Sequence, residues 1–247
     1  MYEELGQHES YMAIADRIDE ADGFTALGGC VFAGGFTFGM EQAGFNIAGH
    51  LEFPELNIGA DVSRQRWPVA EGDLNAWIEI AEDLTGNELV PDVFYANPPC
   101  SAYCGPGRHG GLQDDIMRYV RHCTYQFAMV LAPPIWCWEL VPSIMNDRGF
   151  LDAMAFRASR MGYKCYAFLT TSALHGGYQD RRRFHFVATR VELDFEGVYE
   201  MEPSSKKGVR ALGQMLSTLK NDRVDKALED PDCKVSPSDA SPEEVSR

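Results

Sequence analysis

"FTALGGCVFAGGFTFGMEQAGFNIAGHLEF", residues Phe24 to Phe53, decides the fold. An apolar run leads into small and glycine-rich residues, then a helical spacing, then a second apolar run ending in "LEF". The reading is strand, tight loop, helix, strand, the opening of an α/β sheet. Gly34 and Gly35 suit a backbone that approaches a ligand closely, and equally a plain tight turn. Glu52 ends the second strand, where α/β folds set a carboxylate against ribose hydroxyls. The alternative there is a solvated strand end.

Working outward, residues 1–23 are polar and acidic, with a short helix predicted over "SYMAIADRIDEA". "VPDVFYANPPC" reads as a strand running into a proline loop. "DDIMRYVRHCTYQFAMVL" has helical spacing at Ile116, Tyr119, Val120 and Cys123, and leads into the strand "PPIWCWELVPSI". "FLDAMAFRASRMGY" is helical up to Gly162, and "KCYAFLTTSAL" and "RFHFVATRVEL" read as strands. Strands alternating with helices predict a mostly parallel sheet covered on both faces. The expected organisation is a polar segment (1–23), a main domain (24–195), a helical appendage (196–230) and a disordered acidic tail (231–247).

The balance of 22 basic against 37 acidic residues gives a net charge of -15. That argues against broad, self-sufficient binding to a phosphate backbone, though a local basic patch stands at "QDRRRF". Seven cysteines, an odd number without zinc-site spacing, read as reduced thiols in a cytoplasmic compartment. No apolar run approaches the ~18 residues of a membrane span, and no metal site is expected.

Three further positions carry chemistry. Asp73 in "EGDLNAW" suits either a hydrogen bond to an adenine amino group or the cap of the following helix. Cys100 sits in a rigid loop at the carboxyl edge of the sheet, as a packed thiol or as a nucleophile. Glu139 follows the apolar run "PPIWCW", where a carboxylate needs a partner or a proton.

In series, these segments resemble the DNA cytosine-5 methyltransferase family over roughly residues 26–191. "GGFTFGMEQAGF" is similar to the family's cofactor loop, "LEF" to its next acidic strand end, and "EGDL" to its adenine-contacting aspartate. "NPPCS" resembles the nucleophile motif, usually Pro-Cys-Gln, and "WELVPSI" the motif usually written Glu-Asn-Val. "ALHGGYQDRRRF" resembles the signature of glycine, glutamine, arginine, any residue, arginine. The gaps suit the family: 17 residues from Gly35 to Glu52, 39 from Cys100 to Glu139 and 40 from Glu139 to Gln179.

The resemblance implies a Rossmann-like, S-adenosylmethionine-dependent methyltransferase fold and methylation of carbon 5 of cytosine in DNA. Cofactor contacts would come from Phe32, Gly34, Gly35, Phe36, Glu52, Phe53, Asp73, Leu74, Asn97 and Pro99. Cys100 would be the nucleophile, and Glu139 would hold the exocyclic amine and protonate ring nitrogen 3. Arg183 would bind the base's carbonyl oxygen, and Arg181 neighbouring backbone. The target base would leave the DNA stack to reach Cys100.

Departures from the family set further expectations. Gly28, Cys30 and Phe32 stand where its cofactor loop has an acidic or hydroxyl residue, a phenylalanine and alternating glycines, so fewer cofactor contacts are expected. Leu140 replaces the usual asparagine after Glu139, and Ser101 a glutamine, which implies a changed loop support. No target-recognition region is recognisable in residues 192–247. Weak duplex binding is therefore expected, with a separate recognition subunit or second copy docking near Val209, Leu212, Leu216 and Leu219. Those positions equally suit a helix packed on its own sheet. Alternative functions are methylation of a free pyrimidine nucleotide or RNA, and a non-catalytic relative that binds a partner protein. An amino-methyltransferase fits poorly, because it needs an aromatic residue where Cys100 stands.

Overall fold

The computed structural model describes residues 5–56, 59–103, 110–172 and 181–192. Cys104, Gln179, the expected appendage at 196–230 and the acidic tail lie outside the described residues. The chain divides into two compact units, one of residues 1–168 with 184–193, the other of residues 169–183 with 194–247.

The strands of the sheet are β1 (Thr25–Gly29), β2 (Asn46–Glu52), β3 (Val69–Glu71), β4 (Val93–Ala96), β5 (Ile135–Leu140), β6 (Lys164–Thr171) and β7 (Arg182–Thr189). Their order is β3-β2-β1-β4-β5-β7-β6. Pairing is parallel from β3 through β5, and β7 joins β5 antiparallel. Every residue of β1 and β4 is buried, as strands covered on both faces require. β1 must also be thin. A Cβ on Gly28 would lie 2.7 Å from Val31 Cγ1, 2.8 Å from the Tyr95 hydroxyl and 2.9 Å from His50 Cδ2.

Helices α1 (Leu5–Asp19), α2 (Gly35–Gln42), α3 (Ala60–Arg64) and α4 (Leu74–Gly86) precede β4. α1 is longer than the predicted segment and joins the core through fully buried Ile14, while Tyr11 donates to Asp83 of α4. The predicted long helix after Cys100 divides into α5 (Met117–Arg121), a π-turn (His122–Phe127) and α6 (Ala128–Leu131). α7 (Arg148–Arg160) precedes β6. Two apolar clusters fill the first unit: a large one with Phe53, Trp77, Phe94, Phe127, Trp136 and Trp138, and a smaller one with Val31, Trp67 and Tyr95 that takes in Phe36 of α2.

The chain moves outward from β1 to β3 and then returns to β4 on β1's other side. Ligands of open α/β sheets bind at such a reversal, beyond the carboxyl ends of the strands. The loops after β1 and β4 lie at that reversal.

In the second unit, Ser172 N–H donates to the Arg181 carbonyl at 3.0 Å and Arg181 N–H to Ser172 Oγ at 3.2 Å. Among the described residues, no helix is long and apolar enough to cross a membrane.

Candidate active site

The loop after β1 is strained and held from several sides. Cys30 and Phe32 take φ values of 53° and 54°, in the left-handed region that side chains rarely adopt. Cys30 N–H donates to the Leu51 carbonyl at 3.0 Å, and Ser63 Oγ donates to the Phe32 carbonyl at 2.7 Å. The main support is Glu52, whose Oε1 accepts from Val31 N at 2.7 Å and Phe32 N at 3.0 Å. Gly34 (φ 82°) then opens α2, and a Cβ on Gly35 would meet no heavy atom within 4 Å.

Glu52 is fully buried, not a solvated strand end. Burial pushes its pKa up to about 7, against the lowering effect of the two amides. Its second oxygen, Oε2, is buried and has no hydrogen-bond partner among the described residues. A buried acceptor left unmet costs about 1–3 kcal/mol. The pair of O–H donors on a ribose would meet that need, so Glu52 fits a nucleoside cofactor.

Beneath the loop runs a buried relay. The Tyr95 hydroxyl donates to Thr37 Oγ1 at 2.8 Å, and Thr37 Oγ1 is hydrogen-bonded to His50 Nε2 at 2.9 Å. Burial holds His50 neutral and lowers its pKa to about 3. Sequence reading missed this relay, since its members are spread over α2, β2 and β4.

The other expected cofactor residues divide. Asp73, exposed, caps α4, its Oδ1 accepting from Asn75 N and Ala76 N at 2.9 Å each. Leu74 and Pro99 are half-buried, as is Phe36, whose ring packs against Tyr95 with centroids 5.0 Å apart. Phe53 is sealed in the core. It lies flat on Trp77, centroids 4.2 Å apart and planes within 6°, with Tyr119 and His122 around it. No ring face of Phe53 is open to solvent, because the aromatic cluster of α4 and the π-turn needs it.

The loop after β4 carries the second half. Ala96 pairs with Trp138, so the next residues of β4 and β5 lie side by side. There Asn97 Nδ2 donates to Glu139 Oε2 at 3.0 Å. Glu139 is half-buried on the face of β5 shared with Ile135 and Cys137; Trp136, Trp138 and Leu140 face the sealed core. The apolar enclosure expected around Glu139 thus belongs to the strand's other face. Two prolines carry the chain from Asn97 to half-buried Cys100, followed by a 3-10 turn, Ser101–Tyr103. Burial disfavours the thiolate at two other cysteines: it raises Cys137 to about 12, and with neighbouring Cys123 it holds Cys30 well above its ordinary range.

The structure thus brings together Glu52 with the strained loop, and Asn97 with Glu139. Arg181 and Arg183 belong to the second unit; Arg183 Nη1 donates to the Arg182 carbonyl at 2.7 Å. Among the described residues, no cluster of three or more His, Cys, Asp or Glu could hold a metal ion.

A mostly parallel seven-stranded sheet with helices on both faces, and a buried carboxylate under the β1 loop, define a Rossmann-like fold of the S-adenosylmethionine-dependent methyltransferases. A prophage-encoded Escherichia coli chain assigned as a DNA modification methyltransferase has this fold, with a TM-score of 0.57 and 20% identity, over 70% of this chain and 50% of that one. Residues 30–240 match the family C-5 cytosine-specific DNA methylase, and the chain belongs to that family. The match continues past residue 191, where the sequence motifs end. The type II methyltransferase M.FnuDI of Fusobacterium nucleatum is 22% identical over 78% of this chain, and M.NgoMIV of Neisseria gonorrhoeae 24% over 79%. The aligned region spans 54% and 61% of those relatives' lengths. The cofactor of this class is S-adenosylmethionine, and the unmet Oε2 of Glu52 fits the ribose hydroxyls that it carries.

Proposed function

We propose that the chain methylates carbon 5 of cytosine in DNA through a transient bond from Cys100 Sγ to carbon 6. Carbon 5 of cytosine is a poor nucleophile while the ring is aromatic. Addition of the Cys100 thiolate at carbon 6 breaks aromaticity, and Glu139 offsets the developing charge by giving a proton to ring nitrogen 3. Carbon 5 is then enamine-like. S-adenosylmethionine supplies an electrophilic methyl group. Loss of the carbon 5 proton to water lets the ring expel the thiolate, which restores Cys100, and ring nitrogen 3 returns its proton to Glu139. Arg183 would bind the base's carbonyl oxygen, and Arg181 neighbouring backbone.

The observation that carries this reading is the 3.0 Å bond from Asn97 to Glu139. It joins the loop of the cysteine to the strand end of the acid, and Glu139 lies on the half-buried face of β5. The test is an oligonucleotide carrying 5-fluorocytosine, since fluorine cannot leave as a proton. A covalent adduct mapped to Cys100 and abolished by Cys100→Ser is expected. An adduct on Cys104 would sink the assignment.

The net charge of -15 favours a second reading, in which a free pyrimidine nucleotide takes the place of duplex DNA, or a partner chain supplies the grip on the nucleic acid. Labelled cofactor with separate pools of duplex DNA, single-stranded DNA, RNA and dCTP distinguishes them.

A further inference from the structure

We infer that Tyr103, Ser143 and Asp147 form a clamp that positions the Cys100 loop against the segment behind Glu139. This inference rests on the reading of Cys100 and Glu139 as nucleophile and acid. The cysteine loop leaves β4, the acid ends β5, and Asn97 joins the two at their roots. Beyond the roots the loops need a second fixture, and Leu140 cannot supply it, being apolar and fully buried.

The fixture comes three to seven residues after Leu140. Val141 leads into a 3-10 turn, Pro142–Asn146, and Ser143 Oγ on that turn donates to the Tyr103 carbonyl at 2.6 Å. The Tyr103 hydroxyl donates in turn to Asp147 Oδ2. Tyr103 therefore engages the second loop through both backbone and side chain. Its own N–H donates to the Cys100 carbonyl at 3.0 Å, so strain at the clamp reaches the cysteine within one turn. With Pro98 and Pro99 restricting the other side, Cys100 is held at both ends.

None of the three residues is proposed to touch the base. They are positioning residues. A misplacement of about 1 Å can cost ~10²-fold in rate, so loosening the clamp should slow addition at carbon 6 and spare cofactor binding.

The experiment uses the full chain and the variants Tyr103→Phe, Ser143→Ala and Ser143→Thr. Tyr103→Phe keeps the ring, and Ser143→Thr keeps the donor. Expected are adduct rates with 5-fluorocytosine DNA lowered ~10-fold or more in Tyr103→Phe and Ser143→Ala. Cofactor affinity should stay within about twofold, and Ser143→Thr should recover most of the rate. Unchanged adduct rates, or an equal loss of cofactor affinity, would overturn the clamp. A second arm needs no substrate: the rate at which iodoacetamide alkylates Cys100, followed by peptide mass spectrometry. If wild type forms no adduct with any substrate, the proposed function fails while this arm still decides the clamp. A change of roughly threefold or more in Cys100 alkylation is expected in both loosening variants, and none in Ser143→Thr. Equal alkylation in all four proteins would overturn it. Should Tyr103→Phe fail to fold, the Ser143→Ala and Ser143→Thr comparison decides.

Discussion

His50 and Glu52 stand two residues apart on β2, both fully buried, and burial moves them in opposite directions: His50 down to about 3, Glu52 up to about 7. Each is thereby held neutral over part of the pH range, and each ties stability to pH with its own sign. Between pH 4.5 and 7 unfolded Glu52 has released a proton that the folded chain retains. Its contribution is therefore full below 4.5 and lost as pH rises through 7, on the order of 3 kcal/mol in all. Unfolded His50 takes up a proton below 6.5 that the folded chain refuses. Its contribution is present above 6.5 and lost as pH falls towards 3, on the order of 5 kcal/mol. In urea titrations, Glu52→Gln should gain on wild type by roughly 2–3 kcal/mol between pH 5 and pH 8. A gap that stays constant with pH would show that Glu52 ionises normally in the folded chain.

Cofactor binding should release a proton. A carboxylate accepting ribose O–H donors favours its charged form, so the liganded pKa falls below the free value of about 7. At pH 7 about half a proton per site is expected, and affinity should weaken ~tenfold per unit below that. Calorimetry in two buffers of different ionisation enthalpy reads the proton directly. Glu52→Gln should abolish the buffer dependence.

Glu139→Gln should slow methyl transfer by roughly 10²–10⁴-fold, the usual loss for a general acid. Asn97→Ala should slow it by about tenfold, because the amide orients the acid without replacing it. The double variant should be no worse than Glu139→Gln alone. Additive losses in that cycle would mean that Asn97 acts independently of Glu139.

Two glycines on either side of the β1–α2 loop should answer differently to alanine. Gly28→Ala forces a methyl against Val31, Tyr95 and His50, and should cost about 1–3 kcal/mol, seen as a lower melting temperature. Gly35→Ala meets open space and should leave melting unchanged. A weaker cofactor affinity in Gly35→Ala would mark that space as the ligand's.

How much of this was legible in the sequence follows from distance and length. The strand–loop–helix–strand opening was readable because apolar runs and glycines alternate within 30 residues. β3, of three residues, and α3, of five, are too short to show a period. The π-turn was hidden because His122 to Phe127 keeps nearly helical spacing. Phe53 was misleading: an aromatic residue behind a strand-end acid looks the same whether it faces a ligand or, as here, Trp77. The bond from Ser143 to Tyr103 crosses 40 residues, and nothing near either residue announces it.

The two halves of the site also differ in how they assemble. The Val31 amide meets Glu52 across 21 residues of chain, within one strand–helix–strand unit. Asn97 meets Glu139 across 42, with the α5–π-turn–α6 helix between them. Loops twice as long close more slowly, and their contacts come later. Refolding should therefore protect the Val31 and Phe32 amides from hydrogen exchange before Asn97 and Glu139 meet, so that a binding site for the cofactor precedes the chemistry it serves.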